Sequence, residues 1–270
     1  LRHSDLHAAQ GLALAQGMTD KDASAGPIHR RAAPRDISPL GGRGGHIALF
    51  DLDHTLLSGD SDVLWCDFLM DLGVLDRDVF AVRSVDIEAR YKAGTVAPAE
   101  FAHFYLSTLK GRTPAQWEPL RQQFLREQVI PRIPRASLDL VRQHQQHGDL
   151  VVLTTATNRF LTTLTADHLG ISDVIATEPE LIDGIFSGAS TGVLNMRAGK
   201  VTRLHAWLLE RDTQLDQFDS TGYSDSINDL PLLEAVDCLD PVTRKSRAMP
   251  VVVGLGAAQH GQSKPASHKS

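Results

Sequence analysis

The chain has 270 residues, 42% of them hydrophobic, and carries 27 Lys plus Arg against 33 Asp plus Glu for a net charge of -6. That apolar content fills a sizeable core, so wholesale disorder is excluded, and the length allows one or two domains. The acidic balance argues against a dedicated nucleic-acid binder, no apolar run approaches the roughly 18 residues of a membrane helix, and two cysteines supply neither a disulfide framework nor a four-thiolate zinc site.

Residues 1–45 read as a flexible extension, polar and without periodicity. The opening LRHSDLHAAQGLALAQG is too short and interrupted for a signal peptide, and Met18 is a candidate start. Gly41 to Gly45, GGRGG, precedes a strand instead of following one, so it reads as a linker and not as a phosphate loop. The first strand is Ile47-Ala48-Leu49-Phe50. From about Asp60 to His147 every segment reads as helix: VLWCDFLMDLGVL, FAVRSVDIEARYKAG, PAEFAHFYLSTLKG and PAQWEPLRQQFLREQV, punctuated by Gly73, Gly94, Gly111 and Pro114. Strands are then expected at Leu150 to Thr154, Val174 to Ala176, Ser220 to Ser224 and Val251 to Val253. Helices are expected at Arg159 to Leu169, Lys200 to Leu209 and Asp229 to Val236.

Short, nearly continuous apolar strands alternating with helices predict an α/β fold, a doubly wound, Rossmann-like parallel sheet covered on both faces. The expected organisation is a sheet core at 46–59 and 148–255, an all-helical cap at 60–147, and a flexible tail at 256–270. Cys66 and Cys238 lie in apolar stretches and read as buried small hydrophobes, a usage that suits a reducing, cytoplasmic compartment.

The sharpest feature is Asp51-Leu52-Asp53-His54-Thr55, where the first strand ends in two carboxylates. As the chain leaves the strand, Asp51 can face a pocket while Asp53 curls over it. Tyr223-Ser224-Asp225-Ser226-Ile227-Asn228-Asp229 repeats the pattern, with Asp225 and Asp229 expected on one face of a helix's first turn. Four acids at one sheet edge need a balancing cation, and oxygen-only ligands suit Mg²⁺. Thr155, after the strand VVLT, is expected to open a helix and hold a phosphate with nearby backbone N–H groups. Lys200, after the turn-rich Asn195 to Gly199, could neutralise that phosphate and the carboxylate. Thr157 competes with Thr155, which is preferred. His54 is expected to be packed and hydrogen-bonded. His144 and His147, in HQQH, have no evident acid partner and read as solvated surface.

In order, DLDHT, TTAT, Lys200 and SDSINDLP resemble the motifs of the haloacid dehalogenase superfamily, over about Ile47 to Gly254. The helical insert is similar to the C1-type cap of its phosphoserine-phosphatase-like branch (subfamily IB), which includes histidinol-phosphatases. The resemblance implies a phosphomonoesterase working through a phosphoaspartate. Asp51 would be the nucleophile, Asp53 the acid and then the base. Asp51, the carbonyl of Asp53, and Asp225 would hold Mg²⁺, and Asp229 would anchor metal-bound water or Lys200. Dehalogenases of the superfamily lack a counterpart of Asp53, so phosphate esters are favoured over carbon–halogen bonds.

The resemblance also bears on the substrate, a small phosphorylated metabolite. Asp60 stands nine residues after the nucleophile, where phosphoserine phosphatases carry an acid for the substrate ammonium; a helix N-cap is the equal alternative. Where those enzymes use an arginine for the substrate carboxylate, this chain has Tyr105, with His103 nearby and Arg90 as a possible substitute. An acid for an amine without a carboxylate clamp points to histidinol phosphate, ahead of phosphoserine. Phe104 or Tyr105 could pack an imidazole, and the other is expected in the core. A phosphotransferase would use the same residues. A non-catalytic phosphoryl-binding module, which predicts a damaged motif, is the distant rival.

Overall fold

A computed structural model of the chain describes residues 45–237. The expectations for residues 1–44, including Met18 and most of GGRGG, lie outside the described residues. So do Cys238, the strand at Val251 to Val253, and the tail.

Among the described residues five strands form one sheet in the order β4-β3-β2-β1-β5. They are β1 (Gly45–Phe50), β2 (Leu150–Asn158), β3 (Asp173–Ile182), β4 (Ile185–Thr191) and β5 (Phe218–Tyr223). β1 lies between β2 and β5 and is parallel to both, and β2 pairs parallel with β3. Side chains alternate across β1. Ala48 and Phe50 join one hydrophobic cluster with Val151, Leu153, Val174 and Ala176, while Ile47 and Leu49 join another with Val152 and Ile175. Both faces are therefore covered, which is why the strands read as unbroken apolar runs.

β4 is an addition to the expected strands. It runs antiparallel to β3 through the turn Asp183-Gly184, whose φ values of 51° and 79° suit a tight hairpin with both central residues left-handed.

Between β1 and β2 come α1 (Ser61–Asp71), α2 (Arg77–Lys92), α3 (Pro98–Ser107), α4 (Pro114–Phe124) and α5 (Arg135–His147). Each of the first four covers a segment expected to be helical. Trp65 on α1 packs edge-on against Trp117 and Phe124 of α4, and Trp117 donates to the Leu109 carbonyl at 2.8 Å. α5 lies on the sheet itself, where His144 meets the Tyr223 hydroxyl of β5 at 3.0 Å. The later helices are α6 (Arg159–Leu169), α7 (Ala198–Leu209) and the short α8 (Leu230–Ala235). No helix among the described residues is long and apolar enough to cross a membrane.

The chain leaves β1 toward β2 on one side and returns as β5 on the other. The carboxyl ends of β1 and β5 thus flank the crevice where open α/β sheets bind ligands.

Candidate active site

Asp51 follows the last residue of β1, and its N–H donates to the Tyr223 carbonyl at 2.9 Å, extending the β1–β5 ladder. Its side chain is buried and 2.8 Å from Lys200 Nζ, which also lies 2.6 Å from Asp229. Lys200 is 1% exposed, in the first turn of α7. The approach requires Gly199, because a Cβ there would sit 2.1 Å from the Leu194 carbonyl oxygen. Burial pulls the lysine's pKa down, but Asp229 and Asp51 outweigh it and hold it above the ordinary value. Burial also pushes the Asp51 carboxyl well up, helped by Asp229 and Asp53, with Lys200 opposing. The Ser224 hydroxyl gives Asp229 a second donor at 2.8 Å.

Asp53 sits in the turn after β1. There the Thr55, Leu56 and Leu57 N–H groups all donate to the Leu52 carbonyl, and His54 adopts φ 59°. One carboxylate oxygen of Asp53 accepts from the Ser61 N–H (2.7 Å) and hydroxyl (2.6 Å). The other accepts from Thr157 (2.8 Å) and Thr155 (3.3 Å). Both threonines thus reach the site, and Thr157 makes the shorter bond. Thr155 does not open a helix as expected: β2 continues with a bulge to Asn158, which caps α6 by accepting from the Leu161 N–H. Asp225 and Asp229 also differ from expectation. They precede helix α8, Asp225 in an exposed loop and Asp229 closing a 3₁₀ turn, Ile227–Asp229. Thr55 donates its hydroxyl to Asp225 at 3.1 Å and accepts the Asp225 N–H at 3.2 Å, tying the first motif to the last.

A second acidic layer lies beneath the helical insert. Asp60 caps α1, accepting the Asp62 and Val63 N–H groups at 3.0 and 3.1 Å, both on Oδ1. Burial, then the nearby Asp53, push its carboxyl up to about 8. Asp62 is also buried, takes bonds from Thr157 and Asn158, and is raised by burial and by Asp60 and Asp53. Tyr105 is buried with its hydroxyl beside Ser84, and both Phe104 and Tyr105 pack in one cluster, rings 4.9 Å apart, where one had been expected to leave it. Arg90 points elsewhere: its guanidinium is exposed and held by Asp86 and Glu100. His103 is exposed. His54 departs from the expected hydrogen-bonded ring, its Nε2 having no partner among the described residues. Cys66 is buried as expected, its thiol pushed up to about 12 by burial.

Several residues at the site carried no assignment from sequence. Ser61 clamps Asp53. Tyr91 on α2 packs against Phe101 with the rings tilted by 31°, and its phenol is raised by burial and then by Asp51, Asp229, Asp60 and Asp53. Asn228 donates to the Tyr91 carbonyl at 3.0 Å and accepts from Arg197, which also donates to the Gly94 and Val96 carbonyls. This latch ties the end of α2 to the sheet. Of these residues only Asn228 stood in a recognised motif.

The donor set suits a hard divalent cation. Asp51, Asp225 and the Asp53 carbonyl offer oxygen only, and among the described residues Lys200 is the only cation bonded to Asp51, Asp53, Asp225 or Asp229. A buried carboxylate beside a neutralising lysine and a second, hydrogen-bonded carboxylate can take up and release a charged group.

Comparison with known proteins gives the same assignment. Residues 48–234 match the model of the haloacid dehalogenase-like hydrolase family. A histidinol-phosphatase of Neisseria meningitidis serogroup C is 34% identical over 193 residues, 71% of this chain and 87% of that protein. A phosphoserine phosphatase of Mycobacterium tuberculosis is 29% identical over 197 residues, 70% of this chain and 62% of that protein. A solved structure of a Bordetella pertussis protein of unknown function is 40% identical, with a TM-score of 0.67 over 72% of this chain and 88% of that one.

Proposed function

This chain belongs to the haloacid dehalogenase-like hydrolases and is a phosphatase; from that premise we propose that its substrate is the phosphate ester of a small amino alcohol, with histidinol phosphate first. The observation that carries this reading is the acidic trio Asp53, Asp60 and Asp62, of which Asp60 and Asp62 are buried and Asp53 half-buried. Thr157 bonds both Asp53 and Asp62, Asp53 adds to burial in raising the carboxyls of the other two, and no cation among the described residues is bonded to them. A substrate ammonium would supply the missing charge. Arg90, the candidate clamp for a substrate carboxylate, is engaged outside, which disfavours phosphoserine. The similarity to a histidinol-phosphatase supports the same choice. Asp60 would serve both as N-cap, through Oδ1, and as ammonium partner, through Oδ2. Tyr105 would be part of the cap wall that encloses the amine end. We place the end of the cap ahead of Arg135, because that helix packs on the sheet.

Phosphatases of this family generally use Mg²⁺, and Asp51, the Asp53 carbonyl and Asp225 would hold it here. Bound, it neutralises phosphoryl oxygens and so favours attack by an anion. The rest is done by the chain. Asp51 attacks phosphorus in line and the P–O bond to the substrate breaks. Asp53 gives its proton to the departing alkoxide. Water then attacks the phosphoaspartate while Asp53 takes one of its protons, and inorganic phosphate and free Asp51 result. Lys200 orients Asp51 and, with Thr155 or Thr157, steadies the phosphoryl group. The Arg197–Asn228 latch would keep the cap closed and water out until the alcohol leaves.

The test is Mg²⁺-dependent phosphate release from histidinol phosphate, phosphoserine and a generic aryl phosphate, compared as kcat/KM. Preference for histidinol phosphate is expected, and preference for phosphoserine would overturn the substrate assignment. Two further outcomes follow. Ser61→Ala keeps the N–H bond to Asp53 but loses the hydroxyl. A hydrogen bond to a charged group is worth roughly 1.5–3 kcal/mol, so kcat falls about tenfold or more with KM little changed. For Asp60, protonated below about 8 without ligand, KM for an aminated ester falls as pH rises from 6 to 8, since only the carboxylate pairs with ammonium. That slope vanishes in Asp60→Asn. A KM in wild type that is flat with pH would count against the pairing.

A further inference from the structure

At the opposite end of β1 from Asp51 lies a group that the reaction does not use. His46 is the second residue of β1, Asp149 immediately precedes β2, and His144 sits in the last turn of α5. Five residues of strand place this group about 16 Å from the catalytic edge. One oxygen of Asp149 lies 2.6 Å from His144 Nδ1 and 3.1 Å from His46 Nδ1. The two imidazoles are stacked, 5.5 Å apart and 6° from parallel, so both Nδ1 atoms face the same carboxylate edge. All three ligand atoms lie within 4.8 Å of one another. HQQH, whose histidines lacked an acid partner in the sequence, acquires one through the fold, and the partner belongs to His144; His147 is exposed and turned to the Gln143 carbonyl.

The outer contacts fix the rings. His46 Nε2 meets the Thr221 hydroxyl at 2.9 Å, and His144 Nε2 meets the Tyr223 hydroxyl at 3.0 Å. Both hydroxyls come from β5, at alternate positions facing the same side. With Nε2 engaged on each ring, Nδ1 is the nitrogen left to bind. His46 Nδ1 is shut from solvent and makes no hydrogen bond, even with Asp149 at 3.1 Å. A nitrogen aimed at a carboxylate yet unbonded is the atom a cation between them would satisfy.

We propose that His46, His144 and Asp149 form a second metal site, specific for a divalent transition ion of the Zn²⁺ class and distinct from the all-oxygen catalytic edge. Two imidazole nitrogens and one carboxylate select such an ion over Mg²⁺. Bonds of 2.0–2.1 Å in tetrahedral geometry separate ligand atoms by about 3.3 Å. The His46–Asp149 spacing already suits this; His144 has to swing back from Asp149 by several tenths of an ångström, and the two stacked rings have to tilt toward one another. A water would supply the fourth ligand. Thr221 and Tyr223 supply the hydrogen bonds to the far ring nitrogens that such sites carry. The ion would staple β1, α5 and the start of β2.

The experiment is Zn²⁺ titration of the untagged full chain under saturating Mg²⁺, read by calorimetry and by thermal unfolding. Wild type is expected to take up one Zn²⁺ that raises Tm by about 5 °C or more at a hundredfold excess over Kd. His46→Gln and Asp149→Asn should each lose that ion while keeping Mg²⁺-dependent phosphate release. Tyr223→Phe should weaken it about tenfold, and His147→Gln should leave it unchanged. Absence of Zn²⁺ uptake by wild type would overturn the proposal whatever the variants do, and so would equal uptake by wild type and His46→Gln. Either result would make the trio a hydrogen-bonded cluster only.

Discussion

Asp51→Asn abolishes turnover, by roughly 10⁴-fold or more in kcat, and leaves the fold intact. An amide oxygen cannot form the acyl phosphate, and loss of a covalent nucleophile typically costs this much because the remaining groups can only bind and polarise. The charge arrangement argues that stability survives. Lys200 keeps its 2.6 Å partner Asp229, so no buried charge is left alone, and the new amide can still accept from Nζ at the position of Oδ1. The wild-type carboxyl is raised well above its ordinary value by burial. Without divalent ions it therefore opposes folding increasingly as pH climbs from the unfolded carboxyl's pKa toward the folded one. Below that window both states are protonated and there is no penalty. The variant lacks this slope, so at neutral pH its Tm should match or exceed that of wild type. Phosphate release and thermal unfolding in the same Mg²⁺-free stock, with Mg²⁺ added back for the assay, test both halves. Residual turnover within tenfold of wild type would remove Asp51 from its assigned role.

How far the sequence discloses this molecule depends on what each feature rests upon. β1, β2, β3 and β5 are legible because burial on both faces writes them as apolar runs. β4 is not, since IFSGAST mixes Ser, Gly and Thr at a sheet edge; its only clear sign is the Asp183-Gly184 turn before it, a hairpin signal the strand pattern alone passes over. α5 reads as a helix, but its seat on the sheet depends on His144 meeting Tyr223, 79 residues away. At the site, Asp51, Asp53, Asp225 and Lys200 stand in spaced motifs, and the fold puts Lys200 in contact with Asp51 and Asp229. The clamp around Asp53 does not show in the sequence, because it depends on side-chain directions. Ser61 comes from the start of α1, and the bulge in β2 brings Thr155 and Thr157 together on one oxygen. α6 starts at Arg159 as expected, with β2 running through Thr155 as far as Asn158, and a 3₁₀ turn shifts the start of α8 from Asp229 to Leu230. The threonine and aspartate motifs therefore lie ahead of their helices instead of inside them.

Lys200→Met is expected to damage both stability and catalysis, and to do so in a pH-dependent way that identifies the cause. The side chain is 1% exposed between two carboxylates, and methionine fills much of the same volume without charge. Hydrophobic packing is largely conserved, so the loss is electrostatic. Removing one partner from a buried ionic group costs roughly 3–5 kcal/mol, a large part of the 5–15 kcal/mol that holds a typical domain together. Ser224 still donates to Asp229, but one hydroxyl does not replace an ammonium. The sign with pH follows from the groups left behind. In wild type the raised lysine pKa gives stabilisation that is complete below the unfolded lysine's value and lost only in strong alkali, so it is constant between pH 5 and 8. In the variant Asp51 must take up a proton to stay buried, which costs little near pH 5 and more as pH rises. The destabilisation measured by urea unfolding should therefore be larger at pH 8 than at pH 5. Turnover falls as well, because a protonated Asp51 is a poor nucleophile. Lys200→Arg should not rescue either property, since a broad planar guanidinium does not reproduce a compact ammonium buried between Asp51 and Asp229. Equal stability of Lys200→Met and wild type at pH 8 would mean that the two carboxylates are neutralised by something other than this lysine.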